Sequence, residues 1–448
     1  MVLVVISGMQ MENQPIVFSN EWWDEFIHVT KKLSVPAVFC KPLDAEKIVS
    51  YRHAVANIIS AIAKLRSSQY GFRVYLEGHQ LGSSEIEDIY DNPPLDGECV
   101  VQWCERVFND KKFGVIINSG EKFDQKFSKD VAVLMKPLFD KIGLPRDGIQ
   151  FSIFVGNYDK TPLGIHQDYR GENVLHLHVG PGEKTMYVWD KDEYGKLTTE
   201  GGLRKGNFND LEPYAQSYHI QSGDLFFMPE GTFHIGAQKE LSIAITVWQY
   251  THTNGRFTQE LLNHVHKQIN LSGKDAIDHD LRPPQDDSHI DDIFPACELP
   301  QEYKNLTLQE LIKKAYQDWR LEIFSNAGYR NPPFANKTRE VFSPLDVVKI
   351  ESPYRILTRR IDGMEKVMIY VRGHKFEIKY HACLLELIKA LNDGREHKVS
   401  YLLKLLDPQW SEKVGLHFLS ELHVYHGIVK VVNVSHLAHQ NEIMGSEV

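Results

Sequence analysis

The chain has 448 residues, of which 42% are hydrophobic and 25% are charged, and its formal net charge is -10. This length exceeds the usual size of one hydrophobic core and predicts two or three domains. The composition is that of a globular protein, and the acidic balance argues against attraction of the whole chain to nucleic acid or to an anionic membrane. Five cysteines are scattered without a CxxC pair, which predicts free thiols in a reducing compartment.

The N-terminal residues MVLVVISGMQMENQ contain a short apolar run without a basic flank. This run is too short for a membrane helix and makes a poor signal peptide. No other segment approaches membrane-spanning length. The sequence therefore predicts a cytoplasmic protein that does not contact a membrane.

Helical and extended patterns are mixed from about residue 22 to residue 148, and short strands dominate from there to residue 250. The spacing of apolar residues predicts helices over 51–65, 102–108 and 130–142. Segments rich in β-branched and aromatic residues, separated by Gly, Pro and Asp, predict strands over 149–158, 173–179, 185–190, 224–230 and 241–250. Several short strands at this spacing predict an all-β barrel or a double-sheet jelly roll.

After residue 256 the pattern becomes helical again. A helix is predicted over 257–269, and an acidic, proline-containing connection over 274–295 follows it. Thr307 and Glu310 have the spacing of a capping box, which predicts the start of a further helix.

The last hundred residues have the pattern of a separate unit. Two strands are predicted around a turn at Gly373, followed by three helices and a final strand, which resembles a winged helix. Winged helices often bind DNA, but 14 Lys and Arg stand against 13 Asp and Glu from Leu345 onward. Because DNA-reading domains usually carry a basic excess, we expect a protein-contact or substrate-positioning role and no nucleic-acid partner. The predicted domains are 1–256 (catalytic), 257–344 (helical linker) and 345–448 (winged-helix-like).

The candidate catalytic residues lie in the segment GIHQDYRGENVLHLHVGPGEKTMYVWD and in the later segment SGDLFFMPEGTFHIG. His166 and Asp168 are two residues apart, so in an extended segment their side chains share one face. His234 follows a Pro-Glu-Gly turn that can return its ring to the same place. Two histidines and one carboxylate on one face of an octahedron suit non-haem Fe(II) oxygenases. An HxD pair alone is weak evidence for a metal site. The prediction of an iron site depends on the combination of this pair with His234 and Lys184.

This combination resembles the JmjC/cupin branch of the 2-oxoglutarate oxygenases. The segment Pro229–His234, PEGTFH, fits the family's turn of proline, any residue, glycine, two residues and histidine. The resemblance implies a mixed α+β chain with a double-stranded β-helix, or jelly-roll, barrel and flanking helices. It also implies that the catalytic residues His166, Asp168 and His234 hold Fe(II), with 2-oxoglutarate as co-substrate and O₂ as the oxidant.

In the family, a lysine sixteen residues beyond the carboxylate ligand binds the distal carboxylate of 2-oxoglutarate. Lys184 stands sixteen residues beyond Asp168, and a dianionic ligand needs such a cationic anchor. The turn before Lys184 is one residue longer than in the demethylating members, so Thr185 is the alternative. The ligand here is Asp, as in JmjC-type hydroxylases, whereas histone-demethylating members generally use Glu.

Three further residues are predicted to contact the co-substrate: Thr161, Asn173 and His176. Thr161-Pro162 resembles the Thr-Pro of some asparagine-hydroxylating relatives, at a different spacing. His176 and His178 would share one face of a strand. They either approach the metal or co-substrate or are hydrogen-bonded core histidines, and both interpretations stay open.

The order of barrel, helices and winged-helix-like end is similar to that of the ribosomal oxygenases, whose central helices dimerise and whose targets are protein side chains. The resemblance implies hydroxylation of a side chain in a peptide or protein substrate, and a homodimer through the helical region. Three alternatives stay open. They are the same chemistry on a free amino acid or small molecule, N-methyl-lysine demethylation, which the Asp ligand disfavours, and a non-catalytic cupin that binds a partner.

Overall fold

A computed structural model describes residues 16–169, 171–266, 282–286, 288, 305–361 and 365–431. The N-terminal apolar run and most of the acidic connection after residue 273 lie outside these ranges, as does Cys297. The other cysteines are free thiols, as predicted. In the part of the chain that the structure describes, no helix is long and apolar enough to cross a membrane.

The first part of the chain alternates helices with short strands. Its elements are α1 (Asn20–Val29), β1 (Ala37–Phe39), α2 (Ala45–Leu65), β2 (Arg73–Leu76), β3 (His79–Gln80), α3 (Glu87–Asp91), α4 (Val100–Phe108), β4 (Phe113–Ile117) and α5 (Gln125–Ile142). Helix α2 begins after Asp44, whose carboxylate accepts a hydrogen bond from the Lys47 amide, and α5 begins after Asp124 in the same way. The apolar faces of both helices pack into one large core with the strands that follow.

Strands dominate the next hundred residues. They are β5 (Ile149–Gly156), β6 (His166–Gln167), β7 (Glu172–Pro181), β8 (Lys184–Trp189), β9 (Gln216–Ile220), β10 (Leu225–Met228), β11 (Phe233–Ala237) and β12 (Ser242–Tyr250), with α6 (Lys191–Gly195) and α7 (Phe208–Leu211) between β8 and β9. One antiparallel sheet has the order β1-β10-β7-β12-β5-β4-β2-β3, and the other has the order β6-β11-β8-β9. The prediction of a mixed α+β chain with antiparallel sheets is confirmed.

Alternation along β7 shows how the two sheets are arranged. On one face, three apolar side chains join the core that contains the helices: Leu175, Leu177 and Val179. On the other face, Val174 packs with Met186 of the four-stranded sheet. His176 and His178 share the face of Val174, because successive side chains of a strand point to opposite sides. Both histidines therefore point into the space between the sheets.

The predicted strands coincide with β5, β7, β8, β10 and β12 to within two residues at each end. The predicted helices are less accurate, because α2, α4 and α5 begin two to six residues earlier than expected. The first turns of these helices contain polar residues or lie next to the N-cap. The spacing of apolar residues therefore does not indicate where each helix begins. Helices α6 and α7, in the segment between β8 and β9, are not predicted from the sequence.

The rest of the chain contains two further groups of elements. They are α8 (Asn254–His266), α9 (Leu308–Ser325), β13 (Val347–Lys349), β14 (Leu357–Arg360), β15 (Lys366–Val371), β16 (His374–Lys379), α10 (Ala382–Leu391), β17 (His397–Lys398), α11 (Val399–Lys404), α12 (Glu412–Val424) and β18 (Val429–Lys430). The predicted capping box of Thr307 and Glu310 is present at the start of α9. Three-stranded sheets form in the orders β17-β13-β18 and β14-β15-β16, around a core of their own.

A buried arginine joins this C-terminal part to the first helices. The Arg372 guanidinium lies 3.5 Å from the centroid of the Tyr354 ring. It donates hydrogen bonds to Gln125 Oε1 at 2.7 Å and to Asn326 Oδ1 at 3.2 Å. Because Gln125 is the first residue of α5, the C-terminal part is anchored on the same helix that packs against the eight-stranded sheet.

Asp318 on α9 is the centre of a second buried contact, and its replacement should destabilise the protein. The side chain is fully buried and pairs with Arg359 at 2.6 Å and Lys375 at 3.3 Å, and it also accepts a hydrogen bond from Tyr370. Asp318→Ala leaves these cations without their carboxylate, so we expect the free energy of unfolding to fall by about 3–5 kcal/mol in urea denaturation.

The control for this prediction is Glu386→Ala on α10, because that side chain is exposed and lies 3.9 Å from Lys389. Such surface pairs contribute little, and we expect a change within about 0.5 kcal/mol. Equal losses in the two variants would show that the Asp318 contact does not stabilise the junction.

Candidate active site

Three side chains with metal-binding atoms converge at the edge where β6 pairs with β11. His166 and His234 are direct cross-strand partners, and their ring centroids are 4.3 Å apart. Asp168 follows β6, with Oδ1 3.9 Å from His166 Nε2 and Oδ2 3.8 Å from His234 Nε2. One ligand atom from each residue lies within 4.8 Å of the other two. The structure thus brings together the three residues that the HxD and PxGxxH motifs indicate.

Backbone carbonyl groups orient both imidazole rings. His166 Nδ1 lies 2.9 Å from the Gly164 carbonyl oxygen, and His234 Nδ1 lies 3.2 Å from the Thr232 carbonyl oxygen. A ring nitrogen beside a carbonyl must carry the proton and donate it, so each Nε2 keeps a free electron pair. Metal-binding histidines are commonly held by such a bond from their other nitrogen.

The electrostatics of the cluster fit a divalent cation. Burial and the nearby Glu172 carboxylate raise the pKa of Asp168 to about 7, and its Oδ2 is buried without a hydrogen-bond partner in the described residues. Burial and the neighbouring His166 ring lower the pKa of His234 to about 3. Burial thus keeps the His234 ring neutral and disfavours the charged form of Asp168, which a bound cation would stabilise. A 2-His-1-carboxylate set of this kind suits Fe(II).

Lys184 points into the space between the sheets. Along β8, Lys184 and Met186 are buried, whereas Thr185 between them is only partly buried. The Lys184 Nζ lies 5.8 Å from the centroid of the Phe154 ring on β5, and the side chain is 6% exposed. Lys184 Nζ makes no ion pair with any described residue. A buried ammonium without a counter-ion is unfavourable, so this position fits an anionic ligand.

Thr161 lies beside the same lysine, and Thr185 does not. The Thr161 hydroxyl donates a hydrogen bond to the Gly236 carbonyl at 3.0 Å. A Cβ built on Gly236 would lie 2.8 Å from Lys184 Cε and 3.1 Å from Thr161 Oγ1, so glycine leaves room for both side chains. Thr185 Oγ1 lies 3.1 Å from His219 Nδ1 at an exposed position. The alternation of β8 thus turns Lys184, and not Thr185, toward the interior.

His176 and Asn173 lie on opposite faces of β7. His176 is buried between the sheets and its Nε2 has no hydrogen-bond partner among the described residues. Burial and the Lys184 charge lower its pKa well below the usual range, which keeps the ring neutral. Asn173 faces the helices instead, and its Oδ1 accepts a hydrogen bond from the Glu230 amide. The structure does not bring Asn173 into the space between the sheets. Asn173 and His176 are three residues apart on β7, and an odd spacing places two side chains on opposite faces of a strand.

A buried ionic cluster near the metal-binding residues is absent from the sequence-based predictions. His252 Nδ1 forms a hydrogen bond with Asp147, and its Nε2 lies 3.2 Å from Glu172 Oε1. Burial opposes the charged ring, but hydrogen bonds to both carboxylates outweigh burial and raise the pKa of His252 to about 9. These residues come from three separate segments, so no local pattern could have indicated them.

The outer edge of the site carries exposed apolar side chains. Tyr169, directly after Asp168, is 69% exposed, and Leu163 is also exposed. The Arg256 guanidinium of α8 lies 5.3 Å from the centroid of the Tyr169 ring. His166 is itself partly exposed, so this edge gives access to the candidate metal ligands.

Comparisons with known proteins gave matches among solved structures. No protein-family model and no curated protein matches the chain. The structure of YcfD, a ribosomal oxygenase from Escherichia coli, has a TM-score of 0.46 at 16% identity and covers 92% of this chain and 98% of its own. YcfD in complex with cobalt and 2-oxoglutarate has a TM-score of 0.44 at 14% identity, with coverages of 92% and 98%.

A further similar structure is SnoK, a non-heme α-ketoglutarate-dependent carbocyclase from nogalamycin biosynthesis. It has a TM-score of 0.31 at 11% identity and covers 57% of this chain and 94% of its own. The chain is thus similar to structures of a ribosomal oxygenase and of a non-heme α-ketoglutarate-dependent carbocyclase.

Proposed function

We propose that this chain is an Fe(II)- and 2-oxoglutarate-dependent oxygenase that hydroxylates a side chain in a peptide or protein. The observation that carries the proposal is the convergence of His166, Asp168 and His234, whose ligand atoms lie within 4.8 Å of one another while backbone carbonyls hold both Nδ1 atoms. The two facing sheets are interpreted as a jelly-roll barrel of the JmjC/cupin type, and the metal-binding residues lie on the smaller sheet.

In this proposal, His166, Asp168 and His234 hold Fe(II) and leave the remaining coordination positions to 2-oxoglutarate and O₂. Iron bound there, with its co-substrates, supplies the oxidising chemistry that hydroxylates a C–H bond and converts 2-oxoglutarate to succinate and carbon dioxide. Lys184 binds the distal carboxylate of 2-oxoglutarate by a charge-assisted hydrogen bond.

Other side chains shape the space for the co-substrate. The Thr161 hydroxyl lies against Gly236 beside Lys184 and is assigned to the same carboxylate end. His176 is neutral, so its free Nε2 adds no second positive charge next to Lys184. Val174 and Met186 pack between the sheets and exclude water from this end, which strengthens the interaction of Lys184 with an anion.

A macromolecular substrate is supported by the outer edge of the site. Exposed large apolar side chains such as Leu163 and Tyr169 stand within three residues of His166 or Asp168. We infer that these side chains contact a substrate chain, because both are exposed and both lie close to a proposed metal ligand in the sequence. We assign the winged-helix-like part, 345–448, to contacts with a protein partner, because its charges nearly balance. The helical region 257–344 is proposed to pair two chains.

Turnover of 2-oxoglutarate with peptide substrates tests this function. Full-length protein with Fe(II) should convert 2-oxoglutarate to succinate slowly by itself and faster with a matching peptide, which gains one oxygen atom detectable by mass spectrometry. Zn(II) in place of Fe(II) should abolish turnover, because zinc has no redox chemistry.

The alternatives give different results in the same assay. Stimulation by free amino acids but not by peptides would indicate a small-molecule oxygenase. Release of formaldehyde from methylated lysine would indicate a demethylase. Metal binding without any decay of 2-oxoglutarate would indicate a non-catalytic cupin and contradict the proposal.

A further inference from the structure

A second cavity lies on the helix-facing side of the eight-stranded sheet, where β12 ends and α8 begins. Its volume is about 340 Å³, and it is lined in part by Ile142, Leu144, Arg146, Asn173, Gln249 and Phe257. Asn173 and Gln249 are cross-strand partners on β7 and β12 and share the face opposite to His176. Both amide side chains therefore point away from the space between the sheets that contains His176 and Lys184.

Two amide side chains line this cavity, and one of them has a buried hydrogen-bond donor without a partner in the described residues. Gln249 is 2% exposed, and its Nε2 has no hydrogen-bond partner in the described residues. Asn173 uses its Oδ1 to accept a hydrogen bond from the Glu230 amide, so its side-chain N–H groups remain for another acceptor. A buried donor without an acceptor costs about 1–3 kcal/mol, and a ligand oxygen would remove that cost.

The charges around the cavity favour an anion. The Asp147 carboxylate also lines the cavity, and two cations offset its charge: His252, which forms a hydrogen bond with its Oδ2, and Arg330, whose Nη2 lies 3.3 Å from its Oδ1. Arg146 at the rim is exposed and forms no ion pair with any residue in the described ranges. One unpaired guanidinium and two amides suit a carboxylate, which accepts several hydrogen bonds at once.

One side of the cavity is apolar. Ile142 at the end of α5, Leu144 after it and Phe257 on α8 line this side of the cavity. A fully polar ligand would leave these side chains without complementary contacts. The volume is in the range of pockets that bind small organic molecules.

We propose that this cavity binds a small organic acid with an apolar body. The carboxylate accepts hydrogen bonds from Gln249 and Asn173 and pairs with Arg146, while the apolar body packs on Ile142 and Phe257. This site is distinct from the proposed 2-oxoglutarate site, and its existence does not depend on the oxygenase function.

The test uses phenylacetate as the probe, titrated into the full-length protein by calorimetry with Mn(II) and saturating 2-oxoglutarate present. We expect saturable binding with one site per chain. Gln249→Leu keeps the side-chain volume but removes the donor, and should weaken binding by about tenfold. Ile142→Trp should fill the cavity and abolish binding.

The matched control is Val133→Trp, because Val133 is exposed on the same helix as Ile142 and does not line the cavity. It should leave phenylacetate affinity unchanged. Equal melting temperatures of the variants would confirm that each is folded. The proposal is overturned by absence of saturable binding up to about 10 mM, by equal affinity in Gln249→Leu and the unaltered chain, or by competition between phenylacetate and 2-oxoglutarate. Loss of 2-oxoglutarate turnover in these variants is not part of the test, so a failure of the oxygenase function stays distinguishable.

Discussion

His166→Ala and His234→Ala are each expected to remove bound metal and to reduce 2-oxoglutarate turnover by more than about 100-fold. Loss of a residue that only supports a metal ligand already reduces affinity or activity 10- to 100-fold, and a direct ligand should matter more. The two rings are cross-strand partners and both Nε2 atoms approach Asp168. Metal analysis after gel filtration and succinate formation measure the two effects.

The control for the histidine variants is His219→Ala. His219 lies on β9 of the same four-stranded sheet, but its ring is exposed next to Thr185. We expect its loss to leave metal content and turnover unchanged. His166→Ala and His234→Ala should keep most of the thermal stability of the protein, because residues of an open metal site contribute to chemistry more than to packing. Full metal content and activity in both His166→Ala and His234→Ala would show that the metal site lies elsewhere.

Lys184→Ala is expected to raise the 2-oxoglutarate concentration needed for half-maximal turnover by about 10- to 150-fold. The lost interaction is a charge-assisted hydrogen bond in a buried space, worth about 1.5–3 kcal/mol. Lys184 is buried and forms no ion pair with the described residues, so a ligand carboxylate would be its main partner. Initial rates of succinate formation across a range of 2-oxoglutarate concentrations give the value.

Thr185→Ala is the matched control for the lysine. Both residues lie on β8, but Thr185 points away from the interior and contacts His219. Its removal should change the half-maximal 2-oxoglutarate concentration less than about twofold, as for other surface substitutions. The opposite pattern, with a large effect of Thr185→Ala and none of Lys184→Ala, would mean that the co-substrate binds on the other face of the strand.

A chain of ionic contacts connects the proposed metal ligands with the helical region. Glu172 starts β7 and raises the pKa of Asp168, and His252 holds Glu172 and Asp147 together. Arg330 continues the contacts from Asp147 to Glu260 on α8. Since Arg256 of the same helix covers Tyr169, α8 forms part of the edge of the candidate active site.

The sequence by itself determined the strands and the local motifs of this protein. Runs of β-branched and aromatic residues predict β5, β7, β8, β10 and β12, because such residues favour strands and the Gly, Pro and Asp between them favour turns. The spacing of His166 and Asp168, and the turn before His234, are short-range features that backbone geometry translates directly into side-chain direction. The capping box at Thr307 is equally local, because its partners are three residues apart.

Only the tertiary structure decided which faces of these strands meet. Asn173 and His176 are three residues apart and equally plausible from sequence, but the packing of helices on one face of β7 places them on opposite sides of the sheet. The choice between Lys184 and Thr185 depended in the same way on which face of β8 is buried. The His252 cluster and the cavity behind Gln249 combine residues from distant segments. Such contacts arise from long-range packing, which no local periodicity encodes.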